Sequence, residues 1–122
     1  MRIEMGLFKN LLKKAAGKEI EFKVAGVTFK NGRKTRQAIL RAMKWQDPPY
    51  DKVQITLQRY DFEGSTAIGV YVNGDQIGNV PKEIKDEVDA AWTKDYIVEE
   101  WKILGSGQDA PFGCLVKILF QR

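Results

Sequence analysis

Apolar and polar residues change period several times along the chain, and each change marks an element. Between Gly6 and Ala16, Leu7, Phe8, Leu11, Leu12 and Ala15 recur at helical spacing, while Lys9, Lys13 and Lys14 lie off that face. The pattern predicts an amphipathic helix stopped by Gly17. From Glu19 to Val27 the period drops to two. Ile20, Phe22 and Val24 alternate with Glu21 and Lys23, as in a half-buried strand. Asn31-Gly32 is a turn signal. Thr35 is placed to cap a helix from about Arg36 to Trp45, with Ile39, Ala42 and Met43 inward and Asp47-Pro48-Pro49 ending it.

Beyond Pro49 the pattern is mostly that of strands. Val53–Arg59 alternates, Tyr60–Ser65 reads as a loop, and Ala67–Val72 is a second strand. Asn73-Gly74 is a hairpin signal leading into Gln76–Val80. Pro81 opens a helix over Lys82–Trp92, with Ile84, Val88 and Ala91 inward. Tyr96–Leu104 and Gly113–Phe120 are the last strands, joined by a flexible loop over Gly105–Pro111. This predicts an α+β, mainly β fold of about six strands and three helices. The strands are expected to close into a small antiparallel barrel, because a short sheet must hide its edges. Residues 1–18 are expected to form the amphipathic N-terminal helix and residues 19–122 the barrel domain.

Composition narrows the function classes. At 122 residues and 43% hydrophobic content, the chain builds one core. No run of eighteen apolar residues predicts a transmembrane helix. Lysines interrupt the apolar run of residues 6–16 and no small-residue cleavage motif follows, which argues against a signal peptide. The basic amphipathic face of that helix would suit a membrane surface, but no membrane partner is expected; packing on the domain or on a second copy of the chain is, the latter giving a homo-oligomer through Gly6–Ala16. A single cysteine, Cys114, forms no internal disulfide, which fits a reducing, cytoplasmic setting, and it reads as a small core residue. With no histidine, Ser-His and Cys-His nucleophiles are excluded and the commonest zinc ligand is missing. Asp61 with Glu63, or Asp86 with Glu87 and Asp89, offers oxygens to magnesium, but the second group sits beside lysines as a solvated helix face. Trp45, Trp92 and Trp101 are expected to pack the helices on the barrel. A binding domain is therefore expected rather than an enzyme, with no cofactor and no metal.

The formal net charge of +4 conceals an asymmetry. Residues 1–44 carry twelve Lys/Arg against three acids, a net +9, and residues 45–122 carry a net −5. A basic half suits a polyanion such as nucleic acid, or is simply the solvated face of basic helices.

Four short stretches come in a fixed order: Val24-Ala25-Gly26-Val27-Thr28-Phe29, Leu57-Gln58-Arg59, Ala67-Ile68-Gly69-Val70, and Asn73-Gly74-Asp75-Gln76-Ile77-Gly78-Asn79-Val80-Pro81. Together they resemble the HIRAN domain family, found fused to helicases and nucleases and as small stand-alone bacterial and phage proteins. The resemblance covers about residues 20–120. It implies a modified OB/SH3-like barrel that captures single-stranded DNA, with a preference for a 3′-hydroxyl end, in DNA repair or replication. A helicase or nuclease is the partner class it implies.

In the family, an aromatic after the first glycine motif and another at the start of the last strand hold the terminal bases. Phe29 and Phe112 match them, and both also read as ordinary core phenylalanines. Thr28 and Lys30 flank Phe29, and Lys30, Arg33, Lys34 and Arg36 supply phosphate charge. The family's Asn-Pro-x-Asp stretch is replaced here by Tyr60–Thr66, with Gly64 at the aspartate's offset; Asp61 or Glu63 is the carboxylate left to accept from a 3′-hydroxyl. Asn79, where the family often has Tyr or His, contacts phosphate or sugar, or caps the turn into Pro81. The other class of function is a protein-interaction or self-assembly adaptor without nucleic-acid binding, using the first helix as its contact.

Overall fold

The computed structural model describes residues 17–31 and 34–122. The helix expected over Gly6–Ala16, its role in self-association and Arg33 all lie outside the described residues. Within them the chain forms β1 (Lys18–Lys23), β2 (Lys30–Asn31), β3 (Lys34–Thr35), α1 (Arg36–Trp45), β4 (Ile55–Phe62), β5 (Ser65–Val72), β6 (Asp75–Asn79), α2 (Lys85–Ala91), β7 (Tyr96–Leu104) and β8 (Gly113–Phe120). No helix among the described residues is long and apolar enough to cross a membrane.

The strands make two antiparallel three-stranded sheets, β1-β8-β7 and β4-β5-β6, and a two-residue ribbon of β2 with β3. The expected closed barrel does not form. The first strand, predicted to run to Val27, leaves its sheet early: Val24 N–H still donates to the Cys114 carbonyl at 2.8 Å. One residue later Ala25 exchanges two 2.8 Å backbone hydrogen bonds with Asn79, at the edge of the other sheet. The sheets are thus joined at one corner by a single bridge. On the opposite side β4 and β7 do not pair; the edge amide of Leu57 donates to the Tyr96 hydroxyl at 2.8 Å instead. An edge amide satisfied by a side chain needs no strand partner, so closure is not required. The fold is therefore mixed α/β with two open sheets, and two helices are present among the described residues.

The core lies between the sheets. Ile20, Phe22, Val116, Ile118 and Phe120 from one sheet meet Ile55, Leu57, Ile68, Val70, Val72 and Ile77 from the other. Both helices cover this core: Ile39, Leu40 and Met43 of α1 and Val88 of α2 are buried. Thr35 caps α1 as its position predicts, its Oγ1 accepting from Ala38 N–H at 3.1 Å. The helix ends at Gln46, which takes a left-handed φ of 55°. The second helix starts three residues later than Pro81 suggests, because residues 82–84 form a turn and Ile84, at its N-cap, makes no side-chain cap. Trp45, expected to pack inward, is 64% exposed. Trp92 and Tyr96 pack edge to face at 5.4 Å, with the Arg59 guanidinium 4.0 Å over the Trp92 ring.

The loop expected over Tyr60–Ser65 is instead strand and tight turn. β4 pairs with β5 from Ile55↔Val72 to Phe62↔Ser65, leaving only Glu63 and Gly64 to turn. Both take positive φ, 52° and 82°, as do Asn73 and Gly74 in the next hairpin at 51° and 89°. That combination is the two-residue turn matching the twist of antiparallel strands.

Candidate functional site

Alternation along β4 and β5 sets up the site. Ile55 and Leu57 face the core with Val70 and Val72, so Tyr60 and Phe62 fall on the opposite face with Ser65, Ala67, Gly69 and Tyr71. On β6, Asn79 sits opposite Gly69 and Gln76 opposite Tyr71. The middle of this outer face is low, since Ala67 and Gly69 carry little or no side chain, and the Tyr71 ring lies over Gly69.

The loop after β1 makes the facing wall. Gly26, at φ 72°, turns the chain, and Phe29 N–H closes the turn on the Gly26 carbonyl at 3.2 Å. Helix α1 holds this loop. Arg36 Nη1 donates to the Gly26 carbonyl at 2.9 Å, and Gln37 Nε2 donates to the Val27 carbonyl at 3.0 Å. Phe29 is left 65% exposed, with the Arg36 guanidinium 5.8 Å from its ring centre. Phe62, on the other wall, is 57% exposed. Between these walls is a cleft of about 500 Å³, whose lining includes Gly26, Phe29, Phe62, Ala67, Asn79 and the two lysines Lys82 and Lys85. That volume falls within the range of about 300–1,000 Å³ usual for small-molecule sites.

A polar network supports the floor. Tyr60 OH donates to Asn79 Oδ1 at 2.9 Å, and Gln76 Nε2 donates to the same oxygen at 2.7 Å. Arg36, only 8% exposed, places its guanidinium near Tyr60 and Tyr71. Burial lowers its pKa from the usual guanidinium value, but an arginine stays charged. Burial, with Tyr60 adding to it and Arg36 opposing, pushes the Tyr71 phenol up, so Tyr71 is neutral over the physiological range.

The sequence-predicted residues divide between the cleft and other places. Phe29 and Asn79 line the cleft, and Arg36 braces it from behind. Thr28 and Lys30 are exposed beside Phe29 without lining it. Lys34 turns away to Asp75, at 3.0 Å, which with Tyr50 raises its pKa above the usual value. Asp61 falls on the other face of β4 from Phe62, paired with Thr66, and among the described residues no carboxylate lines the cleft. Phe112 is 7% exposed and belongs to the core. Its backbone is clamped by Gln37, which accepts from Phe112 N–H at 2.8 Å and donates to the Phe112 carbonyl at 2.9 Å.

Phe62, Gln37, Lys82 and Lys85 are not among the sequence-predicted site residues. The signal for Phe62 is present: it follows Tyr60 at spacing two, in phase with the polar Thr56 and Gln58 rather than with Ile55 and Leu57. Among the described residues no group of three or more metal-binding side chains occurs. No family model, no curated protein and no solved structure matches the chain. The resemblance to the HIRAN family therefore gains no support from them, and the open sheets remove the closed barrel it implies.

Proposed function

We propose that this chain is a non-catalytic module that binds single-stranded nucleic acid in the cleft between Phe29 and Phe62. The observation that carries this reading is the pairing of two solvent-exposed aromatic rings with two lysines around one concave surface. Exposed rings offer their faces to bases of any kind, at about 1–3 kcal/mol per stacked base. Lys82 and Lys85 supply charge for the connecting phosphates; the half-buried Lys85 also lies 3.5 Å from the exposed Asp86. Single strands fit and duplexes do not, because stacked and paired bases cannot present their faces.

The test is fluorescence anisotropy with a labelled mixed-sequence DNA 10-mer, single-stranded or in duplex, over a series of salt concentrations. The single strand is expected to bind more tightly. Removing both lysines (Lys82→Ala with Lys85→Ala) should reduce the log–log salt slope by about 1.4, at ~0.7 per phosphate contact. Replacing the 3′-hydroxyl with a 3′-phosphate is expected to change affinity by less than about twofold, because among the described residues no carboxylate lines the cleft to read the hydroxyl or repel the phosphate. A flat titration with the single strand overturns the reading.

A further inference from the structure

Asn79 carries a further inference, which rests on the cleft being the nucleic-acid site. The orientation of its amide is determined by a chain of hydrogen bonds that starts at the backbone. The Gly78 carbonyl can only accept, so the Gln76 atom 3.2 Å from it is the nitrogen Nε2. That nitrogen reaches Asn79 at 2.7 Å, so the Asn79 atom facing it is the oxygen Oδ1. The Tyr60 hydroxyl donates to the same oxygen at 2.9 Å. A carbonyl oxygen has two lone pairs, and two donors occupy both. The amide nitrogen Nδ2 makes no hydrogen bond among the described residues, and Asn79 lines the cleft. What Asn79 shows to an occupant is thus a donor without an acceptor.

An asparagine normally reads adenine with both atoms, accepting from N6 and donating to N7. Here the accepting half is already used. We propose that Asn79 is a specificity-determining residue that favours the bases with two exocyclic carbonyls and no amino group, thymine and uracil. Thymine and uracil carry carbonyls at both O2 and O4, so either edge meets the donor with an acceptor. Cytosine keeps the O2 carbonyl but sets an amino group at the 4-position, donor against donor, and adenine has an exocyclic amino group and no carbonyl. The aromatic walls provide affinity for any base, and the asparagine between them discriminates.

Anisotropy with labelled dT10 and dC10 tests this, since both are pyrimidines with little self-stacking and differ at the 4-position; dU10, which lacks the C5 methyl of thymine, should bind like dT10 if the 4-position decides. The wild-type chain should bind dT10 about five- to tenfold more tightly than dC10, the yield of one hydrogen bond gained against one donor–donor clash. Asn79→Asp keeps an oxygen for Tyr60 and Gln76 and turns the presented donor into an acceptor, so the ratio should invert in favour of dC10. Added negative charge weakens both oligonucleotides alike and cancels in the ratio. Equal binding of the two by the wild-type chain overturns the base preference and leaves the cleft reading intact. A dT10/dC10 ratio unchanged in a folded N79D variant overturns the role of Asn79. Binding of neither oligonucleotide overturns the cleft reading, and the preference with it.

Discussion

Replacing Phe112 by alanine separates two roles that a phenylalanine at this position can have, and the structure predicts which one is lost. The ring is 7% exposed, packs where a side chain on Gly107 would collide with it, and has Lys44 Nζ 5.5 Å from its centre. A phenylalanine buries about 150–250 Å². At about 25 cal/mol per Å², losing this ring costs about 4 kcal/mol, which agrees with the roughly 3–5 kcal/mol usual for Phe→Ala in a core. The loop itself should stay in place, because Gln37 holds the backbone N–H and carbonyl of residue 112, which the substitution leaves intact. For a domain of this size the loss corresponds to a fall in Tm of about 10–20 °C. Circular dichroism melts read the stability. Anisotropy with single-stranded DNA, at a temperature where the variant is folded, reads the binding. The expected result is a large drop in Tm with affinity within about twofold of wild type, since the ring does not line the cleft. A variant of unchanged Tm whose affinity falls tenfold or more would refute the reasoning and make Phe112 a base-stacking residue.

Phe29→Ala and Phe62→Ala should show the reverse. Each is expected to weaken single-strand binding by about 1–3 kcal/mol, five- to 150-fold by anisotropy, with Phe29→Ala leaving Tm within a few degrees. Gly78→Ala should destabilise the chain by more than about 2 kcal/mol in urea titration, because a Cβ there would collide with the Ala25 carbonyl oxygen and the Val24 side chain at the bridge between the sheets. The Cys114 thiol, pushed up to about 12 by burial, is neutral in the folded chain. Its contribution to stability is held below about pH 9, where the unfolded thiol ionises, and is lost as pH rises towards 12. Urea titrations at pH 8 and pH 11 should therefore show a larger loss for wild type than for Cys114→Ala.

Local signals in the sequence are faithful where the determining contacts are local. Thr35 caps its helix, Asn73-Gly74 turns its hairpin, and the last two strands keep their predicted limits, since each depends on residues a few positions apart. The end of the first strand is a different matter. Ile20, Phe22 and Val24 are all buried, and their alternation is unbroken. Nothing in it records that Ala25 changes partner from β8 to Asn79, fifty-four residues away. Barrel closure follows only from the general need to cover sheet edges, and a single hydroxyl, that of Tyr96, meets that need at Leu57. The charge asymmetry misleads in a similar way. The two lysines that line the cleft, Lys82 and Lys85, belong to the half of the chain with net −5, while Lys34 of the basic half is taken up by Asp75. Net charge along a sequence does not show which charges a fold gathers on one surface.

The open corner and the cleft have one structural cause. By crossing from β8 to Asn79, Ala25 carries Gly26 and the following turn over the outer face of β4-β5-β6, which would otherwise lie bare to solvent. Arg36 and Gln37 then fix that turn from the helix, so Phe29 is presented by a braced loop. The same crossing hydrogen-bonds the backbone of Asn79 in two directions, which sets the residue whose side chain faces the cleft. Phe29 and Asn79 are therefore positioned by a single backbone bridge, and Phe62 by the adjoining hairpin. A change that slips the Ala25–Asn79 bridge should displace the Phe29 wall and the Asn79 amide together, whereas a change confined to the Glu63-Gly64 turn should move Phe62 alone. The distinction follows from the topology: two of the three groups share one support, and the third has its own.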